Sequence, residues 1–185
     1  MKNLRSLSIA MAVIAAFLMP VPGALAAPTL TSPAGTGYIG GVELTSSSSQ
    51  LLKTGAGNFT CTFSTLTSSI AVNNEAFAEG SGFLTFGGCS GTVDSLTSGV
   101  HLEVLPTGAV KLSTYKITVV AAGVDCVYGT TVIHTKLGTL KGGTPATLSV
   151  SAELPLMSGS VFLCMERALW AGSYTVTSPT TLLVN

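Results

Sequence analysis

Leu148-Ser149-Val150-Ser151-Ala152-Glu153-Leu154 alternates apolar and polar residues without a break. A period of two is what a half-buried β-strand requires, because successive side chains leave opposite faces of the pleat, whereas a helix would repeat near 3.6. Tyr115, Ile117 and Val119 alternate with Lys116 and Thr118 in the same way. Shorter candidate strands run over 58–66, 82–86, 100–105, 125–132, 161–165 and 173–176, and Leu182-Leu183-Val184 closes the chain. Between them stand Gly87-Gly88, Pro106-Thr107-Gly108, Gly142-Gly143 with Pro145, and Ser158-Gly159-Ser160. These read as turns, since glycine reaches positive φ and proline presets a turn while offering no ladder donor. The expectation is an all-β protein: an antiparallel β-sandwich, or a partly open barrel, of about nine or ten strands. The best helical stretch is 164–171, with a loop carrying Trp170 as its alternative. Gly80-Ser81-Gly82 reads as a flexible hairpin turn, and the Ser46–Ser49 run as a loop or strand edge.

The amino terminus has the three parts of an export signal. Lys2 and Arg5 supply the basic start, 7–18 the apolar stretch, and Ala24-Leu25-Ala26 the small-residue exit. The apolar run falls short of the roughly 20 residues a spanning helix needs, and Pro20, Pro22 and Gly23 break it. The expected organisation is therefore a signal peptide over 1–26 and a single secreted domain over 27–185, with no transmembrane segment in the mature chain. A lipoprotein is not expected, because the first cysteine is Cys61.

The mature chain would keep six basic residues against eight acidic ones. Nucleic acid and anionic membranes need clustered Lys and Arg, so neither is an expected partner. Charged residues make up only 9% of the sequence, and Ser, Thr and Gly fill the polar positions. Such a surface repels copies of itself weakly, which permits self-association or adhesion to cell-surface or matrix components.

Four cysteines in an exported chain read as two disulfides. Three connectivities are open. Cys61 with Cys89 and Cys126 with Cys164 is the favoured pairing, because each pair brackets one block of strands; each would stabilise the fold by roughly 3 to 4 kcal/mol in the chain-entropy picture. The two blocks raise the question of an internal duplication, but their interiors do not align. A four-cysteine metal site would want C-x-x-C pairs, and there are none.

The sequence offers no recognisable catalytic motif. A hydrolase nucleophile on a G-x-S-x-G elbow is missing, Gly80-Ser81-Gly82 having the wrong spacing. His101 and His134 could each act as a base, yet both lie in strand-like segments where histidine commonly faces solvent. Eight carboxylates, Glu43, Glu75, Glu79, Asp94, Glu103, Asp125, Glu153 and Glu166, are scattered, and spacing selects no pair from them. No cofactor or metal motif is found, and Asn58-Phe59-Thr60 is a formal glycosylation sequon. Charge, sulfur and a large aromatic gather only around Cys164, Glu166, Arg167 and Trp170. That region is either a recognition patch, with Trp170, Tyr128, Tyr174 and Arg167 as candidate binding residues, or a core tryptophan packed over a disulfide.

Several of these segments also resemble a group of small secreted bacterial β-proteins. They are 31–36 near the mature start, Cys61-Thr62, Phe86 before Gly88-Cys89, Leu105-Pro106, Cys126-Val127-Tyr128, and Trp170-Ala171-Gly172-Ser173-Tyr174-Thr175-Val176 with Pro179. Within that group the chain is loosely similar to the secreted proteins called activators of alkane oxidation. The resemblance implies a role in surface adhesion or biofilm matrix, and it carries no catalytic residue. Composition and resemblance thus point to a non-enzymatic secreted or cell-surface protein, with a monomeric extracellular binding module for an apolar or carbohydrate ligand as the alternative.

Overall fold

The structure is a computed structural model that describes residues 27–96, 99–131 and 135–185. The leader read over 1–26 and His134 lie outside the described residues.

The described chain is all-β, with fourteen strands and one helical turn. In chain order the elements are β1 (Leu30–Thr31), β2 (Gly40–Ser46), β3 (Gln50–Thr54), β4 (Gly57–Asn73), β5 (Ala78–Cys89), β6 (Val93–Leu96), β7 (Val100–Val104) and β8 (Ala109–Ser113). They continue with β9 (Tyr115–Ala121), β10 (Val124–Thr130), β11 (Thr135–Lys141), β12 (Thr147–Ser158), α1 (Val161–Cys164), β13 (Arg167–Ser178) and β14 (Leu183–Val184).

Eight lanes of antiparallel strand close on themselves in the order β2, β4, β5, β7, β8, β11, β12, β13 and back to β2. The molecule is thus a closed barrel with additional strands rather than the two stacked sheets of a sandwich. The closing lane is built from two pieces. Both β2 and β3 pair with β4 on one side and β13 on the other, so they are successive parts of one lane. The serine run interrupts that lane and stays tied to it. The Ser47 amide donates to the Ser173 carbonyl, the Ser47 and Ser48 hydroxyls meet the Ser173 hydroxyl at 3.0 and 2.9 Å, and the Ser64 amide donates to Ser46 Oγ at 2.8 Å.

Strands β6, β9 and β10 form a three-stranded flap that joins the barrel where Val127 and Tyr128 pair with Ser158 and Leu156 of β12. At the other end, β1 and β14 pair and place Leu30 and Leu182 over the barrel mouth.

Alternation decides which side chains enter. In β12 Leu148, Val150, Ala152 and Leu154 are buried while Ser149, Ser151 and Glu153 are exposed. This apolar-in, polar-out order is the reverse of a membrane-spanning barrel, whose outer band is apolar. An eight-stranded barrel is just wide enough for side chains to fill. Val42, Leu44, Leu66, Leu102, Val110 and Val176 do so, leaving an apolar void of about 20 Å³.

Three local expectations give way to tertiary context. Gly80-Ser81-Gly82 is not a turn: it lies within β5, where a Cβ on Gly82 would stand 1.7 Å from the Thr67 carbonyl oxygen. Glycine there admits a backbone approach that no other residue allows. Likewise Gly87-Gly88 lies within β5, and the Phe63 ring covers the Gly87 position. Residues 164–171 are not a helix, and 161–165 is not a strand. The segment is one helical turn, Val161–Cys164, followed by β13, in which Ala168 and Trp170 alternate inward against β12.

The cysteines pair as Cys61–Cys89 and Cys126–Cys164, and no cysteine is free. The first bridge joins directly opposed positions of β4 and β5. The second fastens β10 of the flap to α1.

Candidate functional site

The aromatic residues named from sequence are gathered, but inside. Trp170 enters from β13 at 1% exposure, since its neighbours Leu169 and Ala171 take the outer face. Its ring meets Phe86 and Tyr174 edge to face, at centroid separations of 5.3 and 6.3 Å. The indole N–H donates to Gln50 Oε1 at 3.0 Å, and the Gln50 amide nitrogen donates to the carbonyls of Ser48 and Ser173. A fully buried glutamine thus satisfies the tryptophan and pins the serine run beside it. The Tyr174 hydroxyl lies 2.7 Å from Ser64 Oγ, which donates onward to the Thr85 carbonyl at 2.6 Å. Burial pushes the Tyr174 phenol well above its ordinary range, with the Ser64 bond opposing in part. Tyr128 crosses from the flap to donate to the Cys164 carbonyl, and burial raises its pKa as well, with a side-chain hydrogen bond between it and Thr54 opposing. These three rings join the elements together and present no face to solvent. Arg167 differs: it is exposed on β13 and pairs with Glu153 on β12 at 2.5 Å.

Three surface features remain. The first is a hollow on the outer barrel wall lined by Phe77, Glu79, His101 and Glu103, with an open volume of about 220 Å³. His101 Nε2 lies 2.5 Å from Glu79 Oε1, and Lys111 Nζ lies 3.1 Å from Glu103 Oε1. Register explains the grouping, because Glu79, Glu103 and Lys111 are successive cross-strand partners, and Ser81, His101 and Ser113 form the next row. No sequence spacing revealed it, since β5 and β7 come together only through the barrel. Among the described residues no group of three or more His, Cys, Asp or Glu is arranged to hold a metal ion.

The second feature is a row of hydroxyls across five of the eight lanes. Thr147, Thr175, Thr45, Thr65 and Thr85 are successive partners across five adjacent strands, all on the outer wall. Pairing of β-branched hydroxyl residues stabilises the sheet modestly and leaves the wall polar without charge.

The third is an apolar spur. Met157, Val161, Phe162, Leu163 and Met165 are all exposed, Phe162 at 99%. The disulfide from Cys164 holds the spur from below, and the Gly55 amide donates to the Cys164 carbonyl.

Comparison with protein-family models, with curated proteins and with solved structures finds no match for this chain.

Proposed function

We propose that this chain is exported and serves outside the cytoplasm as a non-enzymatic adhesive or matrix protein. The observation that carries this reading is the division of the barrel into a filled apolar interior and a hydroxyl-rich outer wall with little charge. With no room inside for a ligand, contact with other bodies falls to the exterior. There a row of threonines across five lanes and an exposed apolar spur offer hydrogen bonding and dispersion with little electrostatic repulsion. Two disulfides suit an oxidising compartment, where they persist without being reduced. The resemblance in cysteine placement to secreted adhesion-linked β-proteins supports the same reading. The test is to fractionate the producing cells and compare surface attachment with and without the gene. Protein in the medium or on the cell surface, beginning after Ala26, with attachment reduced on deletion, is the expected result. A cytosolic protein that keeps its leader, or unchanged attachment, would refute it.

A second reading, a monomeric binding module, draws support from the His101 hollow rather than from the buried rings. An aromatic edge beside two carboxylates and an imidazole can grip a polyol by stacking and by hydrogen bonds. Titration with oligosaccharides would detect it, and His101→Ala should abolish the heat of binding.

A further inference from the structure

The spur and the surface beside it have the features of one self-complementary patch, and we propose that two copies of this chain pair through it about a two-fold axis. This goes beyond the adhesive reading and does not depend on it.

From Met157 to Met165 there is no charged residue, and five apolar side chains stand in water. Exposed apolar residues scattered singly need no explanation, but a contiguous cluster marks a contact surface. The cluster is also held in place. The Leu163 and Cys164 amides donate to the Ser160 carbonyl, the Met165 amide to the Val161 carbonyl, and Cys164 is bonded to Cys126. A pre-ordered projection loses little further entropy on docking.

What it docks into lies next to it. Val161, Met165, Glu166 and Arg167 line an open hollow of about 420 Å³, and Phe162 is not part of its wall. Knob and hollow therefore sit side by side on the same surface, flanked by an acid and a base adjacent in sequence. A two-fold interface requires that if position i meets j then j meets i. Phe162 entering the hollow of a second copy satisfies this, and the same axis sets Glu166 against Arg167 of the other chain, twice. The present Arg167–Glu153 pair is solvent-exposed, so exchanging it costs little. The charge pattern favours a copy of the chain over a lipid surface, because a second copy presents a guanidinium and a carboxylate at fixed, matching positions, whereas the headgroups of a fluid bilayer hold no fixed spacing.

Five exposed apolar side chains with Glu166 and Arg167 are far fewer than the roughly 20 to 30 residues a side of a standard interface, so association should be weak. Sedimentation equilibrium of the purified oxidised protein, from about 10 µM to about 1 mM, spans the relevant range. A reversible monomer–dimer equilibrium is expected. Phe162→Ser, at a fully exposed position that leaves folding intact, should weaken it by about tenfold or more. Arg167→Glu should also weaken it, and the exchange Glu166→Arg with Arg167→Glu should restore it, a reversal that nonspecific stickiness would not show. A protein that stays monomeric throughout, a dimer indifferent to Phe162→Ser, or an exchanged pair no better than Arg167→Glu alone would each overturn the proposal. So would a monomer that binds phosphatidylcholine vesicles through Phe162.

Discussion

At the residue scale the fold turns on a few polar side chains that lie where water does not reach. Gln50 is the clearest case, fully buried, accepting from the Trp170 indole and donating to two backbone carbonyls of the serine run and β13. Removing it leaves a buried N–H without a partner and opens a cavity beside Gly172, whose Cα faces the Gln50 amide. Gln50→Ala should lower unfolding free energy by about 3 kcal/mol in a denaturant titration, and Trp170→Phe by less. A Gln50→Ala protein as stable as the parent would show that this bond is not made. Strand alternation makes the inward position of Trp170 and Tyr174 intelligible once β13 is known. From the sequence alone it was hidden, because the run Met165-Glu166-Arg167-Ala168-Leu169 also fits a helix and a different face would then be inside.

At the element scale, the flap of β6, β9 and β10 depends on few ladder pairs to the barrel. Among the described residues it joins the barrel ladder through two residue pairs on β12, and the Cys126–Cys164 bridge, the Tyr128 hydrogen bond to the Cys164 carbonyl and the burial of Ile117 and Val119 in the shared core fasten it further. The Cys61–Cys89 bridge instead joins strands already paired along most of their length. Replacing Cys126 and Cys164 together by alanine should cost roughly 3 to 4 kcal/mol and speed amide exchange in β9 and β10 while β4, β5, β12 and β13 stay protected. Equal loss of protection in barrel and flap would contradict this division. The strands at 115–119 and 148–154 were legible because β-branched and long apolar residues alternate strictly with polar ones. Gly80-Ser81-Gly82 was not, since a glycine chosen for close backbone approach carries the same local signal as one chosen for a turn. The apolar run 161–165 gave no period to choose between strand and helix.

At the scale of the whole molecule, barrel and flap together shelter three phenols, Tyr115, Tyr128 and Tyr174, and burial raises the pKa of each. In the unfolded chain they lose their protons near pH 10, while the folded state keeps them neutral to higher pH. Above that pH the native state binds more protons than the unfolded state, so stability falls as pH rises. Below pH about 10 this contribution is fully present, and it is lost as pH climbs toward the raised folded values. Phenolate absorbance from these residues should therefore grow only as the far-ultraviolet β signal collapses. Reversible titration of all four tyrosines near pH 10 with that signal intact would contradict their burial.

Closure itself was not legible in the sequence. The all-β class follows from local pattern, and the bracketing of strand blocks favours the cysteine pairing found while leaving the two other connectivities open, whereas a barrel differs from a sandwich in whether the split lane of β2 and β3 meets both β4 and β13. That pairing joins residues more than a hundred positions apart, and no local residue choice announces it. The most direct test is nuclear Overhauser spectroscopy on the dilute, oxidised protein. A closed barrel requires backbone contacts from Leu44 to Leu66 on one side and to Val176 on the other. Contacts to only one of the two would mean an open sheet with a free edge, and the closed barrel would be wrong.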